Sequence, residues 1–101
     1  MTNQNGPSGV AFVARLEERR VFPQVHYLTC DSPDDDVLHA KAAEIGLDRR
    51  SFFAGLDACY AFWNGHMPQV VAAGVRVVDQ SEWCDVRDRR RARLAEQRRS
   101  Q

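Results

Sequence analysis

The residues of this chain best suited to chemistry are His26, His39 and Asp31. An imidazole near neutrality can move a proton or ligate a metal, and a carboxylate can orient it or share the ion. His26 is expected on a strand face and His39 on the helix that follows. The two rings can therefore approach across a sheet–helix seam, with Asp31 or Cys59 as a third member. The plainer reading makes His26 a half-buried strand residue and His39 a hydrogen-bonding residue beside the core, since no HExxH spacing is present. His66 follows Asn64-Gly65 and reads as a turn or cap residue. Cys59 would be a nucleophile only if a neighbouring base lowered its pKa, and no local signature supports that over a buried thiol. The catalytic candidates are His26, His39 and Asp31, without assigned roles.

Asp34, Asp35 and Asp36 offer hard oxygen ligands to a divalent cation. Successive residues at a helix start point about 100° apart, however, so the three cannot converge on one ion. They are better read as complements to the positive end of a helix dipole. No metal is assigned. The six glycines form neither GxGxxG nor GxxxxGK, and no cofactor is expected.

The strongest compositional signal is the tail RDRRRARLAEQRRSQ. Residues 1–84 hold seven Lys/Arg and eleven Asp/Glu, a balance of −4, and residues 85–101 hold seven Arg and three acids, a balance of +4. A basic tail thus follows a mildly acidic body. Arg87, Arg89, Arg90, Arg91 and Arg93 are the binding candidates. Guanidinium groups grip phosphates and carboxylates bidentately, so residues 87–99 could meet nucleic acid or an acidic protein partner. A solvated helix is the alternative.

The elements that must position these groups can be read along the chain. Residues 1–8 form a polar lead-in. Val10 to Ala14 is β-branched and apolar, as in a buried strand; the charged RLEERR then breaks the pattern, and Pro23 precedes the next strand. Alternation over Gln24 to Cys30 puts Val25, Tyr27 and Thr29 on one face and His26, Leu28 and Cys30 on the other. Ser32 is the expected N-cap of a helix running to Ile45, with Pro33 in its first turn, Leu38, Ala42 and Ile45 as its stripe, and Gly46 as C-cap. Phe52 and Phe53 are expected in the core after a short turn. Ala58 to Trp63 reads as a strand and NGH as a tight turn. MPQVVAAG reads as a two-turn helix, and VRVVD as a strand with Val75 and Val77 on one side. Ser81 and Glu82 open a last helix with only Trp83, Val86 and Leu94 as large apolar residues. It should dock at its beginning and become solvated beyond.

At 101 residues the chain is one domain, and 44% hydrophobic with 28% charged residues is an ordinary globular balance. No apolar run approaches the roughly 20 residues of a membrane span, and no signal-peptide pattern opens the chain, so a cytoplasmic location is expected. Cys30, Cys59 and Cys84 lack a close-spaced pair and read as free thiols. The predicted organisation is a lead-in over 1–8, a small α/β domain over 9–84 and a basic helix or tail over 85–101. The fold class is α/β, with three to four short strands, helices packed on the sheet and an Arg-rich C-terminal helix.

The run LHAxAxxIGLxRRxF, a strand bearing His26 with Asp31 after it, and VAAG before a valine-rich strand resemble the small bacterial and phage family catalogued as domain of unknown function 4031. The resemblance spans about residues 10–83 and is most specific over Leu38 to Phe52. Matching positions are His26, Asp31, Leu38-His39-Ala40, Gly46, Arg50 and Ala73-Gly74. Members begin with a strand ending in two aspartates where this chain has Val13-Ala14-Arg15, and carry His-Tyr-Asp at Cys59-Tyr60-Ala61 and a basic pair at Met67-Pro68. The resemblance implies a fold and no settled activity. The expected function is a non-enzymatic binding or interaction module. The alternatives are a metal-dependent hydrolase acting on a nucleotide or phosphoester through His26, His39 and Asp31, and nucleic-acid binding through the tail.

Overall fold

A computed structural model describes residues 10–17 and 24–99. The lead-in expected over residues 1–8, Pro23 and the last two residues of the tail lie outside the described residues. The elements are β1 (Phe12–Arg15), β2 (Val25–Cys30), α1 (Asp35–Ile45), a 3-10 turn (Arg49–Ser51), β3 (Phe52–Phe53), β4 (Cys59–Trp63), a second 3-10 turn (Asn64–His66), α2 (Met67–Ala72), β5 (Arg76–Val78) and α3 (Gln80–Arg99).

The strands form one mixed sheet in the order β3-β4-β2-β1-β5, with β5 parallel to β1 and the other pairs antiparallel. This is the expected α/β class with one strand more than the four read from sequence. The extra strand, Phe52–Phe53, is two residues long and too short to carry a periodicity of its own. Both faces of the sheet are apolar, so each needs cover. Ala14, Leu28, Cys30, Tyr60 and Phe62 meet Leu38, Ala42 and Ile45 of α1 and Val70 of α2 on one side. On the other, Val13 and Val78 meet Val86 of α3, with Trp83 packed against them. The result is three layers, with the sheet between α1–α2 and α3.

Local chemistry sets the ends of α1. Its N-cap is Asp34 rather than Ser32: Asp34 accepts the Asp36 amide at 2.9 Å, and Ser32 Oγ accepts the Asp34 amide at 3.2 Å. An N-cap carbonyl opens the helical ladder, whereas the Ser32 carbonyl takes the Arg90 Nε–H at 3.0 Å, so the helix starts two residues later. At the other end Gly46 adopts φ 97°, which a side chain would strain, and Leu47 N–H donates to the Ala42 carbonyl at 2.9 Å.

One expected core position lies elsewhere, and the strand β5 is only partly covered. Phe53 is 56% exposed, because its register partner is Cys59 near the edge of the α3 side, while Phe52 points inward against Tyr60 and His39. Val75 is buried, but Val77 on the edge strand β5 is 43% exposed. The last helix is continuous from Gln80 to Arg99, spanning the boundary expected at residue 85, and it buries Val86 and Arg90. Among the described residues, no helix is long and apolar enough to cross a membrane.

The strand register makes the two phenylalanines unequal. Phe52→Ala should cost about 2–3 kcal/mol, below the roughly 3–5 kcal/mol of a fully buried phenylalanine, and Phe53→Ala less than about 0.5 kcal/mol. Urea denaturation of both variants checks the ranking.

Candidate functional site

The sheet separates the residues that the sequence singled out. His26 lies on the α1–α2 face, 2% exposed, with its ring 5.5 Å from that of Phe62. Its Nδ1 accepts the Glu17 amide at 2.8 Å, which leaves the ring proton on Nε2, 3.1 Å from Asn64 Oδ1. Both nitrogens are therefore committed. His39 lies on the same side, on α1, with Nδ1 2.6 Å from the Tyr60 hydroxyl and its ring edge-on to Phe52. Burial pushes the Tyr60 phenol up, so it keeps its proton at neutral pH. The two imidazoles have separate partners and no hydrogen bond joins them.

Asp31 faces the other way, toward α3. It is 3% exposed, and its carboxylate takes the Ala11 amide at 3.0 Å, Arg93 at 3.2 Å and Arg89 at 3.4 Å. Cys59 also lies on the α3 face, opposite both histidines. Burial raises its pKa, with Asp57 adding and Arg15 and Arg90 opposing, so it stays a thiol at neutral pH. Cys30 is pushed up to about 11, again mainly by burial. Among the described residues no group of three or more His, Cys, Asp or Glu side chains is arranged to hold a metal ion. The acids at the start of α1 divide their work as well: Asp34 caps the helix and Asp35 pairs with Arg90.

Of the α3 arginines only Arg90 is buried; Arg89, Arg91 and Arg93 stay 40–48% exposed while pairing with acids of the body. Arg90, 3% exposed, donates from Nε to the Ser32 carbonyl, from Nη1 to the Leu56 carbonyl at 2.9 Å and from Nη2 to Asp35. Arg89 and Arg93 hold Asp31, and Arg91 forms a two-nitrogen pair with Asp57. Of the five binding candidates, Arg87 alone is paired only with its chain neighbour, Asp88, at 3.3 Å. Helical spacing explains this order, because residues 87, 90 and 94 share one side and 89 and 93 the next.

Beneath α3 lies a pocket of about 330 Å³. Its floor is the β-sheet face carrying Arg15, Tyr27, Thr29 and Cys59, and its wall is Trp83, Arg87 and Arg90. The Arg15 guanidinium sits over the Tyr27 ring, 5.4 Å from its centre, and over the Trp83 ring at 5.6 Å. Such cation–π contacts hold a charge in place without neutralising it. Arg15 Nε is buried and has no hydrogen-bond partner. The acid at the pocket's edge, Asp57, is already bound by Arg91, which holds its carboxyl below the usual range.

Arg15 is the residue that the sequence reading passed over, as the start of a charged interruption. Continuing the period of two by one position, from Val13 to Arg15, places it on the α3 face beside Tyr27. Comparisons with protein-family models, curated proteins and solved structures find no match to this chain, so the site is read from its own geometry.

Two outcomes follow. Arg90→Met strands two carbonyls and a carboxylate and should cost about 3 kcal/mol or more, whereas Arg98→Gln, on the exposed end of α3, should stay within about 0.5 kcal/mol; chemical denaturation measures both. Arg91 lowers the Asp57 pKa, and Arg50 lowers that of Asp48 to about 2. Carboxyls depressed in the folded state stabilise it above their unfolded value near 4 and lose that contribution as pH falls further. Stability should therefore decline from about pH 4 to about pH 2, with a shallower slope in Asp57→Asn, as read from denaturation midpoints across that window.

Proposed function

We propose that the chain is a non-enzymatic binding module for an anionic partner. The observation that carries this reading is the commitment of its reactive groups. Both nitrogens of His26, Nδ1 of His39 and both oxygens of Asp31 are engaged by the fold, on opposite sides of the sheet. General acid–base work needs a group within hydrogen-bond reach of the substrate proton; His26 and Asp31 are spent on neighbours, and His39 keeps only Nε2, with Asp31 on the far side of the sheet. What the fold leaves unengaged is cationic: Arg15 has no acid partner among the described residues, and Arg87 has only the exposed Asp88.

An anionic partner also suits the resemblance read in the sequence, because the stretches that carry acids in that family read Val13-Ala14-Arg15 and Cys59-Tyr60-Ala61 here, with no acid. The hydrolase alternative loses support from the separation of Asp31 from the histidines. Binding of nucleic acid along the tail loses support from the internal pairing of Arg89, Arg90, Arg91 and Arg93.

The purified chain should turn over p-nitrophenyl phosphate and nucleoside triphosphates no faster than buffer, with magnesium, manganese or zinc ions supplied. Turnover above background that disappears in His26→Ala or His39→Gln would overturn the reading.

A further inference from the structure

From the pocket beneath α3 we infer the class of that partner: a small organic molecule carrying a phosphate or carboxylate, held by Arg15. The inference rests on the binding-module reading and specifies its ligand. A buried donor without an acceptor costs free energy, and natural folds leave few. The Nε of Arg15 is such a donor, closed from solvent, and the Arg15 side chain lines the cavity. An oxyanion in the cavity gives this guanidinium the anionic partner that the fold does not. Guanidinium geometry favours it, since paired N–H groups of the fork point in parallel at two oxygens of a carboxylate or phosphate.

The surroundings select for an anion and against a cation or a bare metal. Arg15, Arg87 and Arg90 line the pocket against one carboxylate, Asp57, whose oxygens already accept from Arg91. Arg90 spends its donors on the fold and contributes field alone, while Arg87 is free to close over a ligand at the rim. Tyr27 and Trp83 clamp the Arg15 guanidinium, so its donors are oriented before any ligand arrives. The volume, about 330 Å³, lies at the small end of ligand cavities, which run roughly 300–1,000 Å³. It suits a single-ring organic anion. Cys59 on the floor is a protonated thiol, which adds no competing negative charge.

Trp83 reports on the pocket directly. In a Trp63→Phe background, which leaves Trp83 as the sole indole, its emission is titrated with phenyl phosphate and with benzoate at constant ionic strength. The two probes share a ring and differ in the oxyanion. A saturable change with a dissociation constant of roughly 0.1–10 mM is expected for at least one, the range of a small ligand held by few contacts. Saturation by phenyl phosphate alone assigns a phosphate, by benzoate alone a carboxylate, and by both the shared oxyanion chemistry.

Arg15→Lys keeps the charge between the two rings but removes the paired N–H groups of the fork, and should weaken binding about tenfold or more. Arg87→Gln should weaken it roughly two- to fivefold, and Arg98→Gln should leave it unchanged. Circular dichroism verifies that each variant is folded; should Arg15→Lys fail to fold, Arg87→Gln decides. No saturable change with either probe, or wild-type binding in the deciding variant, overturns the inference. Release of phenol from phenyl phosphate would instead overturn the non-enzymatic reading, and leave the pocket standing.

Discussion

The buried guanidinium of Arg90 is the constraint on which the arrangement depends. Taking such a charge out of water costs several kcal/mol, and the cost is recovered only when every donor is met in good geometry. Here Nε, Nη1 and Nη2 each find an oxygen: the link before α1, the link between β3 and β4, and the first turn of α1. One side chain from α3 thus fixes two loops relative to the sheet. The requirement is demanding because α3 buries little else, with Val86 as its one buried apolar residue and Trp83 half-covered. A helix of such low apolar content docks through placed charge more than through area, and the pocket beneath it inherits that placement.

The sheet acts as a partition between two chemistries. On the α1–α2 side, His39 is met by the Tyr60 hydroxyl, while His26 packs on Phe62 and is held by the Glu17 amide and Asn64, the condition under which buried polar groups are tolerated. On the α3 side, Arg89 and Arg93 share Asp31, Arg90 meets Asp35 and Arg91 meets Asp57, while Arg15 has no acid partner among the described residues. The only other buried side-chain polar atom left without a partner among the described residues is Nδ1 of His66, set beside the Trp63 ring. Gly65 makes room for that ring: a Cβ there would lie 2.2 Å from it.

Much of this was legible in the sequence where periodicity is long enough to count. The alternation in Val25 to Cys30 assigned His26 and Leu28 to one face and Tyr27 and Thr29 to the other, and the stripe Leu38, Ala42, Ile45 with Gly46 located α1. The two-residue β3 escaped because it has no period. The N-cap was misplaced by two residues because the Ser32 carbonyl is claimed from 58 residues away, by Arg90, and no local pattern encodes that. Composition showed the tail as basic and could not show its ion pairs, because it counts charges without their partners. Asp31, Asp35 and Asp57 stand far from it in sequence and meet it only in the fold.

The pairing of β1 with β5 has a consequence for the order in which the molecule is completed. β1 meets β2 after a short excursion, but its other edge waits for residues 76–78, and its outer face waits for α3. A chain emerging from synthesis can pair β1 with β2 early, since loop closure there is short, and can add β4 before β5 and α3 exist. Through that interval the Val13 face is bare and the β1 edge is an open template, the condition that invites wrong pairings. The segment that ends this exposure follows the whole sheet in sequence, and it is arginine-rich. The acids and carbonyls that receive it, Asp31, Asp35, Asp57, Ser32 and Leu56, lie on the body and are met together only when the helix sits in one register.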